Sequence, residues 1–336
     1  MQTVQRSPQP SSFDTAAMPA QMAAGVIAAQ RRAELQAVSP PVLHDTDILV
    51  RTEGCGICGS NLPVWEGRPW FTYPLQPGAP GHEAWGTIEA VGSCVTEFRN
   101  GDRVAMLSNH GFAEYDTVAA GSALLLPKSL GDIPFPGEPL ACAMNIARRS
   151  AVASGENVAI VGIGFLGALL TRLTKFAGAR VAAVSRRPFA REVAVHCGAD
   201  AVFEWRGDSA IDLARWTQGT GFDCVIESVG SQASLDLATQ ITKERGRLII
   251  AGYHQDGLRT VDLQLWNWRG LDVINAHERD SRVYLDGMRA ALEAVLNGTL
   301  NPTPLYTHCF PLDELGSAFE MLRTRPDGFI KALVIP

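Results

Sequence analysis

The chain has 336 residues, of which 46% are hydrophobic and 19% charged, with a formal net charge of −6. That length favours two domains over a single core. The charge gives no ground for a nucleic-acid or anionic-membrane partner, and no apolar run reaches the about 18 residues of a membrane span.

Residues 1–19 are rich in Ser, Gln and Pro and read as a flexible leader. The Ala-rich stretch 16–29 lacks a basic leader and a strongly apolar core, so a signal peptide is not expected. From Met22 a strand-like AAGVIAA leads through Arg31 and Arg32 to a turn at Ser39-Pro40-Pro41. Residues 48–52 read as a strand that enters the loop GCGICGSN. Pro and Gly recur densely over 63–101, with short strands expected at 87–91, 103–107 and 113–118. This is the texture of a barrel-like all-β region with long connections. From 140–152 the pattern turns helical. Strand and helix signals then alternate, from a strand at 157–161 to strand-like residues 272–275, which argues a doubly wound parallel sheet. The tail holds a helix at 283–297 and a final strand at 330–335. The seven cysteines are odd in number and scattered, which favours reduced thiols in a cytoplasmic protein over a disulfide framework.

The stretch VAIVGIGFLG, residues 158–167, runs from a strand through G-x-G-x-x-G into a helix. In that context the motif reads as a dinucleotide site. Gly162 permits the tight turn, Gly164 lets a pyrophosphate approach the backbone, and Gly167 lets helix and strand pack closely. An ordinary βα turn is the plainer alternative. The next strand ends at Val184 and continues Ser185-Arg186-Arg187. An NAD site places an acidic residue there for the ribose 2′-hydroxyl, and none is present. Ser185 can donate to a 2′-phosphate, and Arg186 or Arg187 can pair with it, so NADP(H) is expected over NAD(H). The plainer reading leaves both arginines as solvated surface charges.

Cys58 lies in the first loop, and His82 and Glu83 just before a strand. Thiolate, imidazole and carboxylate are zinc ligands, and the long interval from Cys58 to His82 excludes a compact zinc finger. Two converging barrel loops suit it, although isolated Cys and His are often merely buried.

These residues also carry a resemblance. GHE-x2-G-x5-G-x2-V at 81–95 is similar to the zinc-containing alcohol dehydrogenase signature, and GCGICGSN resembles the loop that supplies that family's zinc cysteine. GEPLAC at 137–142 resembles its E-P-L segment, and FPLDELGSAF at 310–319 its closing helix. With the glycine motif between them, the chain resembles the medium-chain dehydrogenase/reductase superfamily from Met22 to Pro336. The resemblance implies a Rossmann domain at 143–279 and a discontinuous, GroES-like β-barrel catalytic domain at 20–142 and 280–336, with the active site between them. It implies Cys58, His82, Glu83 and Glu138 as the zinc shell and Ser60 as the hydroxyl that contacts the substrate oxygen and passes its proton. The cofactor set it implies is Gly162, Gly164, Phe165, Leu166, Gly167, Ser185, Arg186, Arg187 and Val229. Cys55 matches no ligand position, and the resemblance implies that Cys142 faces the nicotinamide as a pocket residue.

Three departures bear on the chemistry. Asn61 stands where the family has Asp, and Pro63 where alcohol dehydrogenases often carry a proton-relay His, so water or His110 would have to serve. The cysteines of a structural zinc would fall between Phe98 and Gly111, where none occurs. The expected activity is hydride transfer between NADP(H) and an alcohol, a polyol or the matching carbonyl at one catalytic zinc, in a homodimer or homotetramer built through the edge strand near 272–280. Asn61 and Pro63 lean toward a zinc-free quinone or enoyl reductase, and a nucleotide-binding subunit with a decayed site is the third reading. Trp65, Trp70, Phe71 and Tyr73 could wall a pocket or simply pack. His277 or Arg279 could touch substrate or form a hinge, and His308 reads as structural. His44, His196 and His254 show no partner in sequence.

Overall fold

The computed structural model describes residues 19–336, so the expected leader at 1–19 lies, apart from Pro19, outside the described residues. Strand β1 (Met22–Ala29) turns back through Arg31, whose φ is +54, onto β2 (Arg32–Val38). Strand β2 was not expected from the sequence. RAELQAV is half-exposed or exposed throughout and has no apolar face to betray it. There follow β3 (Asp47–Gly56), a short α1 (Leu62–Trp65) with Pro63 in its first turn, β4 (Glu83–Val91), β5 (Arg103–Met106), β6 (Tyr115–Ala119) and β7 (Ala123–Leu125).

Helix α2 (Gly137–Ser150) leads into the alternating region. It comprises β8 (Asn157–Val161), α3 (Phe165–Phe176), β9 (Arg180–Ser185), α4 (Pro188–His196), β10 (Ala201–Glu204), α5 (Ser209–Trp216), β11 (Phe222–Glu227), α6 (Gln232–Ile241), β12 (Thr242–Ile250), α7 (Leu263–Arg269) and β13 (Asp272–Asn275). The chain closes with α8 (Ser281–Leu296), β14 (Tyr306–Pro311), α9 (Leu315–Thr324) and β15 (Lys331–Ile335). Among the described residues no helix is long and apolar enough to cross a membrane.

Two sheets organise the molecule. The first is a six-stranded parallel sheet in the order β10-β9-β8-β11-β12-β13. Val158 to Val161 are fully buried, as expected of a parallel strand covered on both faces. The order reverses between β8 and β11, whose last residues, Val161 and Glu227, are register partners. A crevice beyond those strand ends is where open α/β sheets bind ligands. The second sheet has seven strands, running β14-β15-β3-β4-β5-β7 with β6 paired to β3. This is the α/β architecture read from the sequence: a doubly wound sheet plus a separate, largely antiparallel barrel-like sheet.

Each sheet has its own core. Ile48, Trp65, Ile88, Phe112 and Phe319 fill the barrel side. Leu140 of α2 and Met288 of α8 share one cluster with Ile160 and Leu169 of the parallel-sheet side and with Ala105 of β5, so these two helices pack between the two sheets.

Candidate active site

Register explains why Cys58 and His82 meet. Strands β3 and β4 are antiparallel neighbours, and Gly56, the last residue of β3, is paired with Glu83, the first of β4. Cys58 follows the end of one strand and His82 precedes the start of the other, so the two loops emerge side by side. The ligand atoms of Cys58, His82 and Glu83 lie within 4.8 Å of one another. Gly56 is required at that pairing, because a Cβ there would come 1.9 Å from Glu83 Oε2.

Asn61 ties the two loops together. Its Oδ1 accepts from the Cys58 backbone N–H at 3.2 Å, and its Nδ2 donates to the Pro80 carbonyl at 3.3 Å. His82 Nδ1 lies 3.0 Å from the same carbonyl, which can only accept. Nδ1 therefore carries a proton, and Nε2 is the nitrogen left to face a ligand.

Glu83 is fully buried, and among the described residues neither of its oxygens has an aligned hydrogen-bond donor. Lys331 Nζ forms an ion pair with Oε2 without hydrogen-bond alignment and donates to the Ile57 carbonyl at 2.9 Å, while Oε1 faces no partner. An orphaned carboxylate oxygen beside a thiol and an imidazole is the donor set a zinc ion would satisfy. Burial would lower the His82 pKa, but the hydrogen bond and charge of Cys58, then the charges of Glu138 and Glu83, push it up to about 10.

Glu138, in the first turn of α2, stands just outside the three-ligand group and accepts from Cys142 Sγ at 3.3 Å. Burial and then Cys142's other neighbours shape this edge. Burial raises the Glu138 carboxyl, although part of the residue still reaches the surface, and burial followed by the Glu138 charge raises the Cys142 thiol well above its usual value. Tyr284 Oη lies 3.7 Å from Cys142 Sγ. Ser60 sits half-buried on the turn after Cys58, and its carbonyl accepts from Gln255 Nε2 at 3.1 Å, which links the Cys58 loop to the parallel-sheet side.

At the switch point Gly162 has φ +97, and a Cβ on Gly167 would lie 2.0 Å from the Gly162 carbonyl. A Cβ on Gly164 would meet nothing within 4 Å, so the approach to the N-terminus of α3 is clear on that side. Phe165 and Leu166 open the helix, and Val229 closes over Gly162 from the end of β11. Ser185 is buried and accepts from the Arg187 N–H at 3.3 Å. Arg187 is turned inward onto the Ile163 and Phe329 carbonyls, so of the two arginines Arg186 is the exposed one, its guanidinium 4.2 Å above the Trp205 ring.

Several sequence candidates sit elsewhere. Trp65 is core, stacked on Phe319 at 5.0 Å with Nε1 donating to Glu320, whereas Trp70 is exposed. The His110 ring pairs with Gln76 and His277 with the Gly252 carbonyl. His308 lies between Phe310 and Phe329, and His196 packs on its own helix at the Glu192 carbonyl. His254 does have partners: its Nε2 faces the fully buried Glu227 at 2.9 Å, and its Nδ1 accepts from Arg259. Lys331 and the Asn61 tie were missed by sequence reasoning. A lone lysine inside the apolar run FIKALVI was the available signal.

Comparison with known proteins points the same way. The family profile described as zinc-binding dehydrogenase matches residues 166–293, and that of the alcohol dehydrogenase GroES-like domain matches 44–128. The chain is 28% identical to 2-dehydro-3-deoxy-L-galactonate 5-dehydrogenase of Pseudoalteromonas atlantica, over 83% of this chain and 88% of that protein. It is 28% identical to human sorbitol dehydrogenase over 82% and 86% of the two. A candidate zinc-binding dehydrogenase from Sinorhizobium meliloti, solved with NADP bound, superposes with a TM-score of 0.83 at 26% identity, covering 95% of this chain and 100% of the other.

Proposed function

This chain belongs to the zinc-containing, alcohol dehydrogenase-like medium-chain dehydrogenases/reductases, and from that premise we propose that it moves a hydride between NADP(H) and an alcohol, a polyol or the matching carbonyl. The observation that carries the reading is the group Cys58, His82 and Glu83, with its ligand atoms within 4.8 Å and a buried carboxylate oxygen left without a partner. These three residues would hold a catalytic zinc, with Glu138 close behind them. Asn61, which by sequence leaned toward a zinc-free reductase, instead braces both ligand loops.

A zinc bound there supplies Lewis acidity toward the substrate oxygen, and the nicotinamide supplies or takes the hydride. The chain's own residues do the rest. The Pro80 carbonyl, itself held by Asn61 Nδ2, fixes the His82 ring by accepting from Nδ1, which leaves Nε2 free for a ligand. Lys331 compensates the Glu83 charge. Ser60, on the turn after Cys58, is the hydroxyl that would carry a proton to or from the substrate oxygen. The glycine turn and the α3 N-terminus would seat the pyrophosphate, and Ser185 and Arg186 would meet a 2′-phosphate. We assign 20–142 and 280–336 to the catalytic domain and 143–279 to the cofactor domain.

We also assign a second copy of the chain to the free edge of β13. Among the described residues that strand pairs on one side only, and beside it α7 buries none of its residues, with Trp268 85% exposed. An unpaired edge with an apolar collar is self-complementary under a two-fold axis.

The assay is turnover of an alcohol, polyol and carbonyl panel with NADP(H) and NAD(H), before and after chelation. Activity should vanish with the zinc, return on its addition and run faster with NADP(H). Full activity in zinc-free protein contradicts the metal reading, and an NAD(H) preference contradicts the cofactor reading.

A further inference from the structure

A second hydrogen-bonded chain, outside the Cys58, His82 and Glu83 group, starts at Glu227, the fully buried last residue of β11. Its Oε1 accepts from the backbone N–H groups of Val229 at 2.7 Å and Gly230 at 2.8 Å, which fixes the turn that lays Val229 over Gly162. Its Oε2 faces His254 Nε2 at 2.9 Å. Arg259 Nε, always a donor, lies 2.9 Å from His254 Nδ1. Nδ1 therefore accepts, and the ring proton sits on Nε2 and points at the carboxylate. Arg259 Nη2 also donates to the Gly230 carbonyl at 2.8 Å and pairs with Asp256, on which the Arg68 charge also acts. A buried anion and a cation are thus joined through a neutral imidazole, and the loops after β11 and β12 are locked to each other. The loop after β12 needs such a brace, because Gly252 and Gly257 flank residues 253–256 and glycine carries the largest backbone freedom. Gln255 follows His254 directly and donates from Nε2 to the Ser60 carbonyl at 3.1 Å. Among the described residues the Ser60 hydroxyl makes no hydrogen bond, so the backbone of its turn decides where it stands. Asn61 ties that turn to Cys58, and Gln255 ties it to the parallel-sheet side.

We propose that Glu227, His254 and Arg259 form a positioning network: they hold the loop after β12 so that Gln255, through the Ser60 carbonyl, sets the Ser60 hydroxyl against the substrate oxygen. The inference rests on the reading of Ser60 as the proton carrier. All four residues act through Ser60, and none is assigned a bond to substrate. A network that only stabilises the fold is the alternative.

A double-mutant cycle separates the two, read as the single-turnover rate of NADP+ reduction at saturation with the best alcohol of the panel. Gln255→Ala truncates a half-buried side chain, so its melting temperature should match the parent's. Its rate should fall about tenfold, a fraction of the about 10²–10⁴ that general acid–base catalysis contributes. Its NADPH affinity, by fluorescence titration, should be unchanged. Ser60→Ala should cost more, and in that background Gln255→Ala should cost nothing further, because the hydroxyl it positions is gone. His254→Phe keeps a ring and loses both hydrogen bonds. It should lower the rate as Gln255→Ala does and add nothing to it in the double variant. Losses that multiply across Ser60 and Gln255 overturn the proposal, since a purely structural role would produce them. So do a parent-like rate in Gln255→Ala and a loss confined to NADPH binding. Should His254→Phe not fold, the Ser60 and Gln255 cycle still decides. A parent-like rate in Ser60→Ala sinks the proton-carrier reading instead, a result distinct from a slow Ser60→Ala beside an unaffected Gln255→Ala.

Discussion

Lys331 is 4% exposed and Glu83 fully buried, and each offsets the charge of the other. Lys331→Met leaves a buried carboxylate without its cation, which should cost about 3–5 kcal/mol in urea unfolding of chelated protein. The loss should be smaller when zinc is bound, since the metal then neutralises Glu83. An equal loss in both conditions would show that Glu83 does not face the metal. His82 makes a pH prediction. A ring whose pKa stands at about 10 must give up its proton to a metal, so zinc affinity should rise with pH through neutrality and fall on acidification. Isothermal titration in buffers of different ionisation enthalpy should show proton release on zinc uptake, and its absence would place the metal elsewhere. Cys58, His82 and Glu83 were legible because their residue types are informative. Asn61 and Lys331 were not, because an amide and a lysine acquire their roles only from the register that sets Gly56 against Glu83.

The glycine turn offers a matched pair of variants at the scale of a strand and a helix. Gly167→Ala would place a Cβ 2.0 Å from the Gly162 carbonyl, and Gly164→Ala would meet nothing. The first should lower the melting temperature, and the second should fold like the parent but bind dinucleotide more weakly, as seen by thermal melts and fluorescence titration. If Gly164→Ala binds normally, the pyrophosphate does not approach there. A second element-level contact joins the β1–β2 turn to α9. Arg31, Trp65 and Arg323 all hydrogen-bond Glu320, and the bond from Arg31, opposed by burial and followed by those from Trp65 and Arg323, holds its carboxyl at about 2. The stability this contributes is present above the ordinary carboxylate value of about 4.3 and is lost as pH falls through about 2. The melting difference between parent and Glu320→Gln should therefore shrink across that window, and a constant difference would show that the charge does not matter. The alternating strands and helices of 157–275 were legible because both faces of each parallel strand are apolar. Strand β2 and helix α7 were not, since neither buries an apolar face that a periodicity could reveal.

At the scale of the whole molecule the fold places the Cys58, His82 and Glu83 group at the end of one sheet and the glycine turn at the switch point of the other, with Gln255 bridging to Ser60. The assembly prediction belongs here. Light scattering should find a dimer or larger, and Trp268→Glu should release monomers without loss of secondary structure, while an unchanged mass would clear the β13 edge of that role. That two sheets exist could be read from the change in texture near residue 140. Which loops face one another depends on strand pairing, which no local pattern contains. The central claim is that Cys58, His82 and Glu83 grip one zinc ion beside the nicotinamide site. X-ray absorption at the zinc edge on purified protein tests it most directly. The account predicts one zinc per chain with a single sulfur neighbour and the rest nitrogen or oxygen, and loss of that sulfur in Cys58→Ser. A protein without zinc, or a zinc bound by several sulfurs that Cys58→Ser leaves untouched, would contradict it.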